Sequence, residues 1–437
     1  MSHSTSVADP ARRYVLLLLT ALSALSFMDR QILAVLLQPI KQEFGFSDLQ
    51  IGLITGLGFA AAFGVLGIPL GRMGDRIERR GLIAWCRGIG GMVAATGALA
   101  TGPLGLAASR CGAAVGDAGG GGASMSMLAD LYRPSERSRV MSVFGVGGAF
   151  GAMLALLIGP LLYQWWGWRV TLALVGLAIV VFSLLLRWSV REPVRSGISP
   201  ADANGRSGAA HQPAVRLIWH EPITRCLIVG SACFFIVNLA VGVWNVALLA
   251  RHFQLTLGQA GGISAVAAVL SVCGSLSSGW LTDRLARRDE RWQIGVPLLG
   301  VSISLVFVLG YLLLGNAAFV PALASMLLFA FFSPTWAPAT YAALSLVVPP
   351  QRRATASAMV LMAGAVLGNG LGPIATGWLS DLLNAATGGQ GLRYALLCMV
   401  CLLLPGLWAY VRALTHYPVA LHQAQAGWPA LQVPAAG

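Results

Sequence analysis

GRMGDRIERR at residues 71–80 and GWLTDRLARR at 279–288 share one pattern, GxxxDRxxRR, repeated 208 positions apart. Each copy closes one long apolar stretch and opens the next, so the same short charged loop occurs in two halves of a duplicated chain. Working outward from these loops, the first half contains apolar segments at 14–37, 50–70, 82–101, 104–131, 140–165 and 168–190. Six more follow at 223–249, 260–282, 294–314, 319–348, 354–382 and 394–412. Each is long enough to cross a ~30 Å hydrocarbon core as a helix. The fold class expected is an all-α membrane protein with twelve transmembrane helices in two pseudo-symmetric six-helix bundles.

Composition agrees with a membrane solvent. Of 437 residues, 57% are hydrophobic and only 10% charged, against roughly a quarter charged in soluble domains. A net charge of +13 would point to nucleic acid in a soluble protein, but here its placement decides its meaning. Arg12, Arg13, Arg72, Arg76, Arg79, Arg80, Arg133, Arg137, Arg139, Arg191, Arg195, Arg206, Arg216, Arg284, Arg287, Arg288, Arg291, Arg352, Arg353 and Arg412 fall on one side. The opposite loops hold little more than Lys41, Arg169, Arg251 and Arg393. By the positive-inside rule both termini and the central linker are cytoplasmic, and nucleic acid is not a partner. The first span follows a short polar tail, so no removable leader is required. Arginine-rich, nearly lysine-free composition points to a bacterial cytoplasmic membrane.

The domain reading is a cytoplasmic tail at 1–13, a six-helix bundle at 14–190, a polar Gly/Pro/Ser-rich cytoplasmic linker at 191–222, a second bundle at 223–412 and a disordered tail at 413–437. Gly159 and Pro160 in the fifth span are echoed by Gly372 and Pro373 in the eleventh, where proline removes a backbone donor and bends the rod. Cys398 and Cys401 form a CxxC inside an apolar helix without His or acidic neighbours, which favours packing over redox or metal chemistry. All six His lie in tails or loops, so no intramembrane metal set or triad is available. GNGLGP at 368–373 follows no strand, and the chain's one lysine is Lys41, so nucleotide binding is rejected.

Ionisable residues inside spans are expensive and default to function. Asp29 and Arg30 in the first span and Arg110 and Asp117 in the fourth stand out. Arg110 and Asp117 are two helical turns apart and share a face, whereas Asp29 and Arg30 diverge by roughly 100°. The expected cross-helix pairs are Arg30 with Asp117 and Asp29 with Arg110. Desolvation favours a neutral carboxyl and a nearby guanidinium favours an ionised one, so an anionic substrate that claims the arginine lets the acid take a proton. The competing reading is a static buried ion pair.

Adding 208 to these positions lands on Val237, Asn238, Ala318 and Ser325, so the second half does not repeat the charges. Its candidate cargo contacts, beside Arg30, are Asn238, Trp244, Asn245, Trp336, Tyr341 and Asn369, although Trp and Tyr are also ordinary belt residues. Trp165, Trp166 and Trp168 read as belt. The run GDAGGGG at 116–122 reads either as a close-packing face or as a deformable segment beside Asp117.

With twelve spans, a central linker and GxxxDRxxRR after the second and eighth, the chain resembles the major facilitator superfamily over nearly its whole length. The resemblance implies that Gly71 lets the second and eleventh helices approach. It also implies that Asp75 with Arg76, Arg79 and Arg80 latches the cytoplasmic ends, with Gly279, Asp283, Arg284, Arg287 and Arg288 as the second latch. A narrower resemblance, to the spinster-like branch, is carried by FMDRQILAVLLQPIKQEFGFSDLQIGLITG at 27–56, RCGAAVGDA at 110–118, GWR at 167–169, REP at 191–193 and RRDERW at 287–292. The branch usually has Gly-Glu-Ala where this chain has Gly116, Asp117 and Ala118, and often Gly where it has Ala114.

The resemblance implies a proton-coupled secondary active transporter that moves a small amphipathic organic solute, a lysolipid or organic anion, by alternating access. Efflux of drugs or metabolites against protons, and organic-acid symport with protons, are the alternatives; a transport-dead sensor ranks below them. No enzyme is expected, since no buried nucleophile or metal set is visible. The coupling ion is the proton, with no other cofactor. The expected partners are a small-molecule substrate, protons and membrane lipids, with no obligate protein partner for a monomer.

Overall fold

Residues 9–132, 134–193, 221–314, 318–348, 356, 359–360 and 362–425 are described by the computed structural model. Among them the chain is almost entirely helical and contains no strand. The first helix, α1, is Asp9–Phe44. Next, α2 runs as one rod through Asp48–Gly52, a π segment Leu53–Leu57, and Gly58–Arg76. α3 is Arg79–Ala95 with a 3-10 turn Thr96–Leu99, and α4 is Pro103–Leu131. The run Pro134–Ser189 is broken at Gly167, whose φ of 74° and ψ of 170° turn the chain back, giving α5 at 134–166 and α6 at 168–189. A side chain is strained at such a φ, and glycine is not.

The second half has α7 (Pro222–His252), α8 (Leu257–Ala286), α9 (Trp292–Leu313) and α10, which joins Phe319–Phe332 to Trp336–Val347 through a 3-10 turn. α11 includes a π segment Ala363–Leu371 and an α segment Gly372–Asn384, and α12 comprises Gly391–Val400 and Leu403–Gln425. Nine runs among the described residues are long and apolar enough to cross a membrane, and one of them, Val143–Ser189, holds two crossings. α4 and α11 complete the twelve.

The chain packs as two units whose boundaries differ from the two sequence halves. One unit is 1–208 with 242–268 and 369–392; the other is 209–241 with 269–368 and 393–437. The first unit thus includes parts of α7, α8 and α11 beside the helices of the first sequence half. Most of the expected linker, residues 194–220, lies outside the described residues. Both expected tails are shorter than read: α1 begins at Asp9, and α12 continues to Gln425. The helical extension is anchored because Tyr410, Ala413, Tyr417 and Leu421 are buried at helical spacing.

In the first unit, Leu18, Leu19 and Leu22 of α1 pack with Leu82 and Ile83 of α3, Met127 and Leu128 of α4, Phe144 of α5 and Leu186 of α6. Close helix approach relies on small residues where lipid offers no hydrophobic drive. A Cβ on Gly90 of α3 would stand 2.6 Å from the Gly112 carbonyl oxygen of α4, and one on Gly112 would stand 2.7 Å from that of Gly90. The second unit centres on Phe234, Trp336 and Tyr410, and the Tyr410 hydroxyl meets Ser231 and Thr340. Gly90→Val is expected to cost on the order of 1–3 kcal/mol by overpacking and to lower the thermal unfolding midpoint in detergent. Gly121→Ala, which adds its carbon to open space, should leave the midpoint equal or higher.

Candidate functional site

α1 and α4 bring together the four intramembrane charges read from the sequence. Arg30 donates through Nη2 to Asp117 Oδ2 in an ion pair. Arg110 donates to the Asp29 carbonyl at 3.0 Å and to Asp29 Oδ1 at 3.3 Å. Both expected cross-helix pairs are present, but their surroundings differ. Asp29 and Arg110 are sealed, with 1% and 4% of their side chains exposed. Arg30 retains 31% exposure and Asp117 11%, so only this pair is open to an approaching solute. The Arg30 guanidinium is also held by the Phe27 and Phe59 rings, whose centroids lie 4.7 and 4.4 Å away.

A fifth charge belongs to this site and is absent from the sequence expectation: Arg87 of α3. Its side chain is only 3% exposed and lies 3.8 Å from Asp117 Oδ1. It donates to the Leu22 carbonyl at 3.2 Å and to the Ser26 hydroxyl, both on α1. Its signal was legible, since LIAWCRGIGG at 82–91 places a charge inside an apolar segment. Asp117 thus has one arginine on the exposed side and another behind it.

This arrangement explains half of the glycine run. A Cβ on Gly120 would meet the Arg87 side chain, with Cγ at 2.9 Å, and one on Gly119 would meet Cys86 Cβ at 2.8 Å. Gly121 and Gly122 have nothing within 4 Å, so close packing accounts for the first pair and not the second.

The repeated loops are chemically unequal. Arg79 is buried, with Nε 3.0 Å from Glu192 Oε1 and Nη1 3.1 Å from the Ser126 hydroxyl and 2.5 Å from Asp130 Oδ2. The Arg80 backbone N–H donates to Glu192 Oε2 at 2.7 Å, and its side chain pairs with Glu78. The side chains of Asp75 and Arg76 and the surroundings of Gly71 are not described, so the latch assigned to Asp75 has no geometry here. In the second copy Asp283, Arg284, Arg287 and Arg288 are exposed, and Gly279 faces Pro338.

Two expected cargo contacts are engaged in helix packing. Trp244 is fully buried and donates its indole N–H to the Pro373 carbonyl at 3.2 Å, so its amphipathic ring serves helix packing. Trp336 is 3% exposed between Phe234 and Phe235. Asn245 is buried and donates to Ser264 at 2.9 Å, while half-buried Asn238 donates to the Phe234 carbonyl and accepts from Ser333. Tyr341 and Asn369 are half-buried. Of the three tryptophans read as belt, Trp165 and Trp166 are exposed, whereas Trp168 is buried and donates to Glu43 at 2.5 Å. Cys398 and Cys401 are free and exposed rather than packed.

At the opposite end of α2 from the repeated loop, a second polar cluster forms within the same unit. Buried Asp48 accepts from Lys41, from Arg251 at 2.8 Å and from Ser380 at 2.6 Å. Asp381 accepts from the backbone N–H groups of Asp48 and Leu49 at 2.9 and 2.7 Å, an acid placed at a helix N-terminus. Arg251 also donates to Gln38 at 2.7 Å. Sequence spacing gives no sign that α1, α2, α7 and α11 converge there.

The Major Facilitator Superfamily model matches residues 19–337. An MFS-type efflux pump of Mycolicibacterium smegmatis is 32% identical over 391 residues, covering 87% of each chain. Human protein spinster homolog 1 is 25% identical over 404 residues, 87% of this chain and 75% of that one. A crystal structure of a bacterial homolog to the human lysosomal transporter spinster, inward-facing and unoccupied, superposes with a TM-score of 0.85 at 25% identity, covering 95% of this chain and 99% of that one.

Breaking a buried ion pair from one side costs about 3–5 kcal/mol. Arg87→Met should lower the thermal midpoint more than Arg30→Met, because either variant leaves Asp117 one arginine but only the first also removes the bonds to the Leu22 carbonyl and the Ser26 hydroxyl of α1. Equal midpoints for the two variants would show that the bonds from Arg87 to α1 add nothing to stability.

Proposed function

The chain belongs to the Major Facilitator Superfamily, and from that premise we propose that it is a proton-coupled secondary active transporter of small amphipathic organic anions. It is a multi-pass membrane transporter related to spinster proteins and to efflux pumps. The proposal goes further and rests on one observation: Asp117 stands between the exposed guanidinium of Arg30 and the buried one of Arg87.

An anionic headgroup that reaches Arg30 competes with Asp117 for the same donor. Losing that partner makes the ionised carboxylate costlier in its partly desolvated setting and favours proton uptake. Substrate departure restores the pair and releases the proton. Binding of substrate and proton are then linked through one arginine, and alternating access carries that linkage across the membrane. Phe27 and Phe59, which flank Arg30, provide apolar surface for the non-polar part of the solute. The sealed pair of Asp29 and Arg110 holds α1 against α4 so that the exposed pair keeps its register.

The membrane is the bacterial cytoplasmic one, with both termini cytoplasmic, a reading supported by arginine placement in the loops. The efflux pump at 32% identity favours a second reading in direction, outward movement of drugs or metabolites in exchange for protons. A symporter acidifies the destination compartment as substrate enters, whereas an antiporter alkalinises it.

The experiment is a thermal-shift screen of lysophospholipids and organic acids on the wild type and Arg30→Ala, followed by a pH-dye assay in proteoliposomes with each hit. Arg30→Ala should lose the stabilisation, and Asp117→Asn should lose substrate-driven pH change by at least about tenfold, equivalent to ~1.4 kcal/mol of coupling. Unaltered proton movement in both Asp117→Asn and Asp29→Asn would sink the coupling proposal.

A further inference from the structure

We infer that the second unit carries a binding site for an anionic phospholipid, separate from the cargo-linked charges and independent of the cargo's identity. α8 and α9 both lean on α10: a Cβ on Gly274 of α8 would stand 2.7 Å from the Phe331 carbonyl carbon, and one on Gly300 of α9 would stand 2.9 Å from Thr335 Cβ. Between them remains a cavity of about 470 Å³. Trp280, Leu281 and Leu285 form one wall, Trp292, Leu299 and Ile303 the other, and α10 supplies the floor.

The chemistry of the wall selects hydrocarbon. Each hydroxyl there is already engaged: Ser277 donates to the Gly274 carbonyl, Ser278 to the Ser275 and Thr335 carbonyls, and Thr335 to the Phe332 carbonyl, at 2.7–3.0 Å. No hydroxyl hydrogen is left for a polar guest. The cavity's length selects an acyl chain of one leaflet. From Trp292 to Ile303 the helix descends about 16 Å at ~1.5 Å per residue, close to half of a ~30 Å core.

The end near Trp292 selects the headgroup. The Arg284 guanidinium lies 5.4 Å from the Trp280 ring centroid, which places a cation on the lip of the cavity. Arg288, in the turn that follows the helix, is exposed beyond it, as are Arg287 and Arg291. The acids nearby are Asp283, Asp289 and Glu290. Asp289 accepts the Arg291 backbone N–H at 2.9 Å, and Glu290 stands 3.9 Å from His422 of α12. Guanidinium groups recognise phosphate through paired donors, and basic clefts between spanning helices at the cytoplasmic side take anionic headgroups. The occupant is therefore a two-chain anionic phospholipid from the leaflet on the arginine-rich side, with one chain between α8 and α9 and its phosphate at Arg284.

The test uses the full-length protein in nanodiscs of phosphatidylcholine doped with phosphatidylglycerol brominated on its acyl chains. Bromine quenches nearby indoles, and the part of the quenching lost in Trp280→Phe/Trp292→Phe reports this cavity. At equal doping, brominated phosphatidylglycerol should quench that component at least about threefold more effectively than brominated phosphatidylcholine. Arg284→Gln/Arg288→Gln, at exposed positions, should remove the preference, and Ser277→Trp should exclude both lipids. Equal quenching by the two lipids, or a preference that survives in the arginine variant, would overturn the assignment. Displacement of brominated phosphatidylglycerol by a single-chain cargo hit would also overturn it, by making the cavity part of the transport route.

Discussion

An ionised carboxylate inside a bilayer must be compensated nearly atom for atom, and Asp117 is compensated by two arginines. The surrounding structure can be understood as what that demand requires. Arg30 is fixed by two phenyl rings, and Arg87 by a carbonyl and a hydroxyl of α1. α1, α3 and α4 are thereby tied by polar contacts, with the apolar cluster of Leu19, Ile83 and Met127 packed on one side of them. Burying charge is rarely the cheapest way to stabilise a bundle, and the proposed coupling role would give these charges a use beyond stability.

Duplication supplied the scaffold and left the charge inventory free to diverge. Arg79 is buried because Asp130 and Glu192 receive it. Its counterpart, Arg287, is exposed, and 208 positions after those two acids stand Pro338 and Val400. One copy of the motif is consequently a locked corner, while the other offers solvent-facing cations. Identical letters in a repeat do not imply identical work, because the partners that give an arginine its role lie elsewhere in sequence.

Much of the fold was legible in the sequence. Apolar length gives the twelve spans, and intramembrane charge gives the pairs Arg30 with Asp117 and Arg110 with Asp29. Arg87, near the start of its apolar segment, satisfies the same criterion. The helical extension past Arg412 was legible too, in the spacing of Tyr410, Ala413, Tyr417 and Leu421. The Asp48 cluster was not legible, since Gln38, Lys41, Arg251, Ser380 and Asp381 converge only after four helices have packed. The packing of Trp244 was not legible either: an indole looks equally amphipathic in sequence whether its N–H is open or already serves the Pro373 carbonyl. The π segments Leu53–Leu57 and Ala363–Leu371 have no distinctive pattern beyond their glycines.

Gly120 makes room for the Arg87 side chain. The two positions lie 33 residues apart on different helices, yet neither choice is independent of the other. A relative that acquires a methyl group at 120 has to shorten or lose the arginine at 87, and one that replaces the arginine is released from the need for glycine. The pair should therefore change together as the family diverges, and a relative that keeps Gly120 while changing Arg87 would mark a lineage in which the acid at 117 has found another counter-charge.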